Sequence, residues 1–273
     1  MASLLDTNKR VCDIQVSQIL TFTASSTLQP PETARKLCSA IRNRRRFQHG
    51  VSSFLATSPK LQEWSATRNS SHISIFGSYA TRHCAQDFAV DVINLVSESK
   101  IPVVWILNPS LSGDGATVPA TIDILKHLVL QVLQLNQHRL TEKSLSLSAT
   151  QFQCAKSEEE WFELLVSALM GLPLLYVVVD LEVLKSAPAE KALLVRGFLD
   201  LVDRLSSGSI NTVMKIAFIS YFQSGASAAD IPTNEILYIP KGTDTMYKSR
   251  KRNKRQTYSK ATSILKLRFQ SLI

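Results

Sequence analysis

The stretch SHISIFGSYATRHCAQDFAVDVI, residues 71–93, decides how the rest of the chain is read. HISIF is short, apolar and strand-like. Gly77 follows, and then Ala85, Phe88, Ala89, Val92, Ile93 and Val96 recur at three- and four-residue steps, which marks one buried face of a helix. A strand, a glycine and a helix are also the layout of a phosphate-binding loop, in which backbone N–H groups turn inward onto an anion. The glycine-lysine-serine/threonine ending of such a loop is absent. With Gly77 as the first glycine, Arg82 stands at the second, His83 at the lysine and Cys84 at the serine or threonine.

Outward from this stretch the alternation continues. IPVVWIL (101–107) is a continuous apolar run of the kind covered on both sides in a parallel sheet, and PATIDILKHLVLQVLQLN (119–136) is a long helix with proline in its first turn. SEEEWFELLVSALMGL (157–172) starts on a serine cap followed by three glutamates, which suit the positive pole of a helix. LLYVVVDL (174–181) and MKIAFISYF (214–222) are further strands, EKALLVRGFLDLVDRLSSG (190–208) is a helix between them, and EILYIP (235–240) closes the series. The pattern predicts an α/β fold with a mostly parallel sheet and helices on both faces. Before it, LQPPETARKLCSAIRNRRRF (28–47) reads as a helix entered through Pro30 and Pro31, with Leu37, Ile41 and Ala34 on one face. VSSFLATSPKLQEW (51–64) reads as a second helical approach. The division expected is a helical lead over 1–70, the α/β domain over 71–240, and a basic, disordered tail over 241–273.

That last boundary rests on charge. Of 31 basic and 22 acidic residues, ten and one fall in 241–273, leaving 21 of each in residues 1–240. The whole net charge of +9 therefore belongs to the tail, and only the tail is a candidate for polyanion binding. Its cluster Lys248, Arg250, Lys251, Arg252, Lys254 and Arg255 fits a nuclear-import signal, a nucleic-acid contact or a solvated charged segment. The run RNRRRF (42–47) reads as an exposed helix end at the negative pole. Cys12, Cys38, Cys84 and Cys154 are far apart and form no CxxC pair. Such spacing suits a reducing compartment, and with no secretory pattern at the start it sets the expected location as intracellular, cytoplasmic or nuclear. The longest uncharged stretch, Leu164 to Val179, is interrupted by Gly171 and Pro173 and falls short of the roughly 20 residues that span a bilayer. No membrane span is expected.

The order of a phosphate-loop-like turn, a strand ending at Asp180 and a lysine-started strand ending at Ser220 resembles the NACHT-type domain of signal-transduction NTPases. The nearest flavour is the nephrocystin-type N-terminal domain common in fungal proteins. LQEW before the first strand and EEEWFELLVSAL before the Asp180 strand add to the likeness, which covers roughly residues 30 to 240. The resemblance implies a P-loop-NTPase-like fold, a nucleotide site at Gly77, Arg82, His83, Cys84 and Asp180, and ATP or GTP with magnesium as the ligand class. It also implies a link between nucleotide state and self-association.

The residues depart from that pattern together. Arg82 removes a glycine needed where the backbone turns inward, and His83 is mostly neutral near pH 7 where a fixed cation is required. Cys84 is a poor ligand for magnesium. Glu182 is a displaced candidate for the water-activating acid, and Tyr221 stands where many relatives carry arginine. Gly77 could equally open an ordinary turn, with the helix beginning near Ala80 and its free N–H groups. His83, Cys84 and Asp87 do not form a nucleophile pair, because adjacent helical residues point apart. His127 and His138 lie too far apart along the chain to share a metal. The expectation is a binding, scaffold or signalling module of degenerate nucleotide-binding fold, with no efficient hydrolysis, no required cofactor, and a protein partner or its own copies as ligand. Two rivals stand beside it: a slow ATPase or GTPase relying on Arg82, His83 and Asp180, and a nuclear or nucleic-acid-associated protein acting through its tail.

Overall fold

The computed structural model describes residues 28–45, 58–109, 118–136, 149–184, 188–207, 211–221 and 235–239. The basic tail, His138, Arg46 and Cys12 lie outside them. Among the described residues five strands form the sheet: β1 (Ser71–Phe76), β2 (Val103–Ile106), β3 (Leu174–Asp180), β4 (Val213–Ser220) and β5 (Ile236–Tyr238). Their order across the sheet is β2-β3-β4-β1-β5, and every pairing is parallel. The helices are α1 (Pro31–Arg44), α2 (Pro59–Ala66), α3 (Arg82–Glu98), α4 (Thr121–Asn136), α5 (Ala149–Cys154), α6 (Glu158–Leu169) and α7 (Pro188–Ser206). No helix among the described residues is long and apolar enough to cross a membrane.

Parallel strands expose no face to water, so each strand is apolar on both sides and divides its side chains between two cores. Val104, Ile106, Leu175, Val177, Val179, Met214, Ile216 and Phe218 pack with α4, α6 and α7. Ile73, Ile75, Val103, Trp105, Tyr176, Val178, Ala217 and Ile219 pack with α1, α2 and α3. The chain leaves β1 on the α3 face and travels over two strands to β2. It then returns one strand at a time, through α4 to α6 and through α7, on the opposite face. In right-handed crossovers this reversal of direction is what moves the helices from one face to the other. The two sets of crossovers diverge at the carboxyl ends of β1, β4 and β3, the place where doubly wound sheets take ligands.

Local signals hold the elements in place. Ser157 accepts the N–H of Glu160 at 3.2 Å, and the Glu160 carboxylate accepts the N–H of Ser157 at 3.0 Å, a reciprocal cap on α6. Gly171, at φ 87°, takes the left-handed conformation that turns the chain from α6 into β3. The edge of β2 is closed by a side chain. Gln131 of α4 accepts from the backbone N–H of Trp105 at 3.0 Å and donates to its carbonyl at 2.9 Å, where no further strand pairs among the described residues.

Three local expectations are corrected. α4 begins at Thr121 rather than Pro119, because the Ala120 carbonyl accepts the first helical N–H, from Ile124, and the Asp123 carboxylate accepts the Ala120 N–H. In α1 the buried residues are Ala34 and Cys38, while Leu37 is 42% exposed. Helix phase decides this, since residues four apart share a face and Leu37 falls beside it. The arginines after Ile41 are not simply a solvated end: Arg42 pairs with Asp91 at 2.6 Å and Arg45 with Asp87 at 3.4 Å, both on α3.

Candidate functional site

Gly77 continues the β1–β4 ladder, its N–H bonded to the Ser220 carbonyl at 2.7 Å. The chain then closes on itself. The Ser78 N–H donates to Thr81 Oγ1 at 2.8 Å, the Thr81 N–H donates to the Ser78 carbonyl at 2.9 Å, and Tyr79–Thr81 form a single 3-10 turn. α3 starts only at Arg82, so the early helix with free N–H groups expected from Ala80 is corrected. Two of the N–H groups that a phosphate cradle would turn inward are consumed by a serine–threonine turn.

The other residues of the loop point elsewhere. The Arg82 guanidinium folds back, donating to the Tyr79 carbonyl at 2.6 Å and lying 3.7 Å from the centre of the exposed Tyr79 ring. Cys84 is buried in the α3-face core. His83 is half-buried, and its pKa falls to about 4 through burial, then through Arg45 and Arg82. It is therefore neutral at pH 7 and supplies no fixed cation.

At the end of β3 the arrangement is denser. Asp180 is 1% exposed. Its carboxylate accepts the Glu182 N–H at 3.0 Å and the Asn108 N–H at 3.4 Å. Burial raises its pKa to about 7; the two N–H donors and the Lys191 charge oppose the rise, and the Glu182 charge adds to it. Glu182, in the 3-10 turn Leu181–Leu184, is held by a set of partners. Lys191 Nζ, from α7, donates to it at 2.7 Å, Ser220 Oγ at 2.7 Å and the Tyr221 N–H at 3.3 Å. Its own carbonyl accepts Asn108 Nδ2 at 3.1 Å. Tyr221 is buried in the α3-face core with its phenol pKa pushed up by burial, then by Asp180 and Glu182.

The structure thus brings Gly77, Asp180, Glu182, Ser220 and Tyr221 to one end of the sheet, while Arg82 turns out to the surface and Cys84 into the core. The loop N–H groups close on Thr81 and Ser78, Cys84 is a soft ligand in an apolar core, and Glu182 is fully engaged. His127, on α4, is buried, with its pKa lowered by burial. Sequence reading missed Lys191 and Asn108. Lys191 carried a signal: it shares the α7 face of Leu194, Val195, Phe198 and Leu201, and a lysine in that phase is buried with a partner.

Comparison with protein-family models, with curated proteins and with solved structures finds no match for this chain.

Proposed function

We propose that this chain is a binding or scaffold module built on a nucleotide-binding-type α/β sheet whose phosphate site has been converted into structure, and that it does not hydrolyse nucleotides efficiently. The observation that carries this reading is the commitment of Glu182. The carboxylate best placed after β3 to activate a water is buried and held by Lys191, Ser220 and the Tyr221 backbone, so it is occupied in holding β3, β4 and α7 together. The self-closed Gly77 turn supports the same reading, as does Tyr221, which brings no positive charge. The ligand in this account is a protein, either a partner or a second copy of the chain.

The test is repair. Arg82→Gly, His83→Lys and Cys84→Ser restore the loop residue types, and Thr81→Ala releases the Ser78 N–H. A ligand that binds only the folded state raises the melting temperature by mass action. The repaired chain should gain a melting shift with magnesium-ATP or magnesium-GTP, and the wild type should show none. A wild-type shift of equal size would overturn the proposal in favour of a working nucleotide site. The tail supports a second, separate activity. Six basic residues within 248–255 would bind nucleic acid with an affinity that falls steeply with salt, and their neutralisation should abolish it.

A further inference from the structure

Helix α1 is attached to the domain differently from its neighbours. α3 buries ten of its residues, whereas α1 buries only Ala34 and Cys38. What holds α1 is polar. Arg42 pairs with Asp91 at 2.6 Å, Arg45 with Asp87 at 3.4 Å, and Arg35 Nη1 donates to Asn94 Oδ1 at 3.1 Å, so three turns of α1 run down the side of α3. At its other end the Trp105 indole N–H donates to the Pro31 carbonyl at 3.0 Å, with the Arg35 guanidinium 5.6 Å from the Trp105 ring centre. Two small buried side chains bring little apolar area, and partly exposed ion pairs stabilise weakly.

We propose that α1 is a charge-held strap that opens from α3 as a unit while the five-stranded sheet stays folded, baring Cys38 and the α3 carboxylates Asp87 and Asp91. Segments with few buried apolar contacts open at lower cost than the global unfolding of the chain. Cys38 sits at the point of release. Its thiol is buried in the α3-face core, and burial pushes it up to about 12. Both Arg45 Nη1 and His83 Nδ1 are buried without a hydrogen-bond partner among the described residues, so the closed seat of the strap is polar and incompletely satisfied. The strap opens in this way whether or not the sheet takes a nucleotide.

Cys38 on the strap is compared with a cysteine placed in the opposite core by Ala168→Cys on α6, where Ala168 is fully buried. The full chain carrying that substitution is exposed to iodoacetamide under native conditions, and each site is followed by peptide mass spectrometry, with rates normalised to those in denaturant. Cys38 should react about tenfold or more faster than the cysteine at 168, because only opening of the other face of the sheet or global unfolding releases the latter. Cys84 lies on the α3 stripe of Asp87 and Asp91 that the strap covers, so it is released with Cys38 and is no reference. The double change Arg42→Gln and Arg45→Gln should speed Cys38 by a further factor of about three to ten, the effect of two partly buried ion pairs, and leave the cysteine at 168 unchanged. Added salt should act in the same direction as the substitutions. If the double variant loses its helical circular dichroism, the ratio with both arginines in place decides alone. Equal normalised rates at the two sites, or faster reaction at 168, would overturn the strap.

Discussion

The two ends of the parallel sheet both bury charge, and they satisfy it in opposite ways. At the amino ends, Lys215 of β4 is fully buried and donates to neutral oxygens, the Trp64 carbonyl at 3.0 Å and Ser71 Oγ at 2.9 Å. Burial lowers its pKa to about 8. His72 of β1 is driven to about 4 by burial and faces Glu235, whose own pKa is raised by burial. At the carboxyl ends Glu182 meets a true counter-ion, Lys191, and two further donors. The amino end tolerates a cation with neutral partners, whereas the carboxyl end is a closed, charge-matched network. In doubly wound sheets the carboxyl end is where ligands enter. Here its charges are spent on joining β3, β4 and α7, and that is the physical content of the proposed loss of chemistry.

The contrast can be broken at its strongest point first. Lys191→Met leaves the Glu182 carboxylate buried without its counter-ion and should cost about 3–5 kcal/mol in urea unfolding, because an uncompensated interior charge is expensive. A cost below about 1 kcal/mol would mean that the pair is solvated and that the carboxyl end is open.

The next test uses proton linkage. Asp180 holds its proton to about pH 7 in the folded chain, against roughly pH 4 for an ordinary aspartate. Between these values the folded state binds the extra proton, so the Asp180 contribution to stability falls as pH rises through that window. His72 and His83, both pushed down to about 4, act with the opposite sign, since they take up protons on unfolding below about pH 6.5. Asp180→Asn removes only the falling component. The variant should therefore gain on the wild type by at most about 1.4 kcal/mol per pH unit as pH rises from 4 towards 7. Parallel pH profiles would show that Asp180 is already ionised across the range.

Lys215 gives a smaller effect. Its lowered pKa means that the unfolded chain holds the extra proton from about pH 8 to about pH 10.5, so stability should rise with pH across that window. Lys215→Met should abolish the rise and, at pH 7, shift stability by about 1 kcal/mol, since the lost bonds and the relieved burial of charge oppose each other. A loss comparable with that of Lys191→Met would erase the difference between the two ends.

How much of this was legible before folding depends on the range of the interaction. The strands were plain because a parallel strand is apolar on both faces, as VVWI and LLYVVVD are. The amphipathic phase of α3 and the Ser157 cap of α6 were plain because their partners lie within one or two helical turns. Asp180 was found because it ends a strand. The partners of Glu182 were not found, because Ser220 is 38 residues away and only the fold brings it near. The closure of Ser78 on Thr81 is local and readable as a serine–threonine turn, but the same residues also fit the spacing of a phosphate loop. The phase of α1 was misjudged because its buried face consists of an alanine and a cysteine, too small to stand out beside Leu37.

The turn itself gives the smallest effect. A Cβ on Gly77 would sit 3.2 Å from Thr81 Oγ1 and 3.5 Å from the Tyr221 Cβ, close but without backbone conflict, and Gly77 has no positive φ. Gly77→Ala should thus change stability by less than about 1 kcal/mol by thermal unfolding. Collapse of the fold would mean that the position demands glycine, as a phosphate cradle does.

The central claim, that the carboxyl end of the sheet is occupied by structure rather than by nucleotide chemistry, is tested most directly by calorimetric titration of the wild-type chain with magnesium-ATP and magnesium-GTP, with Asp180→Ala as control. The account predicts no saturable heat from either nucleotide in either protein. Saturable wild-type binding that disappears in a folded Asp180→Ala variant would contradict it.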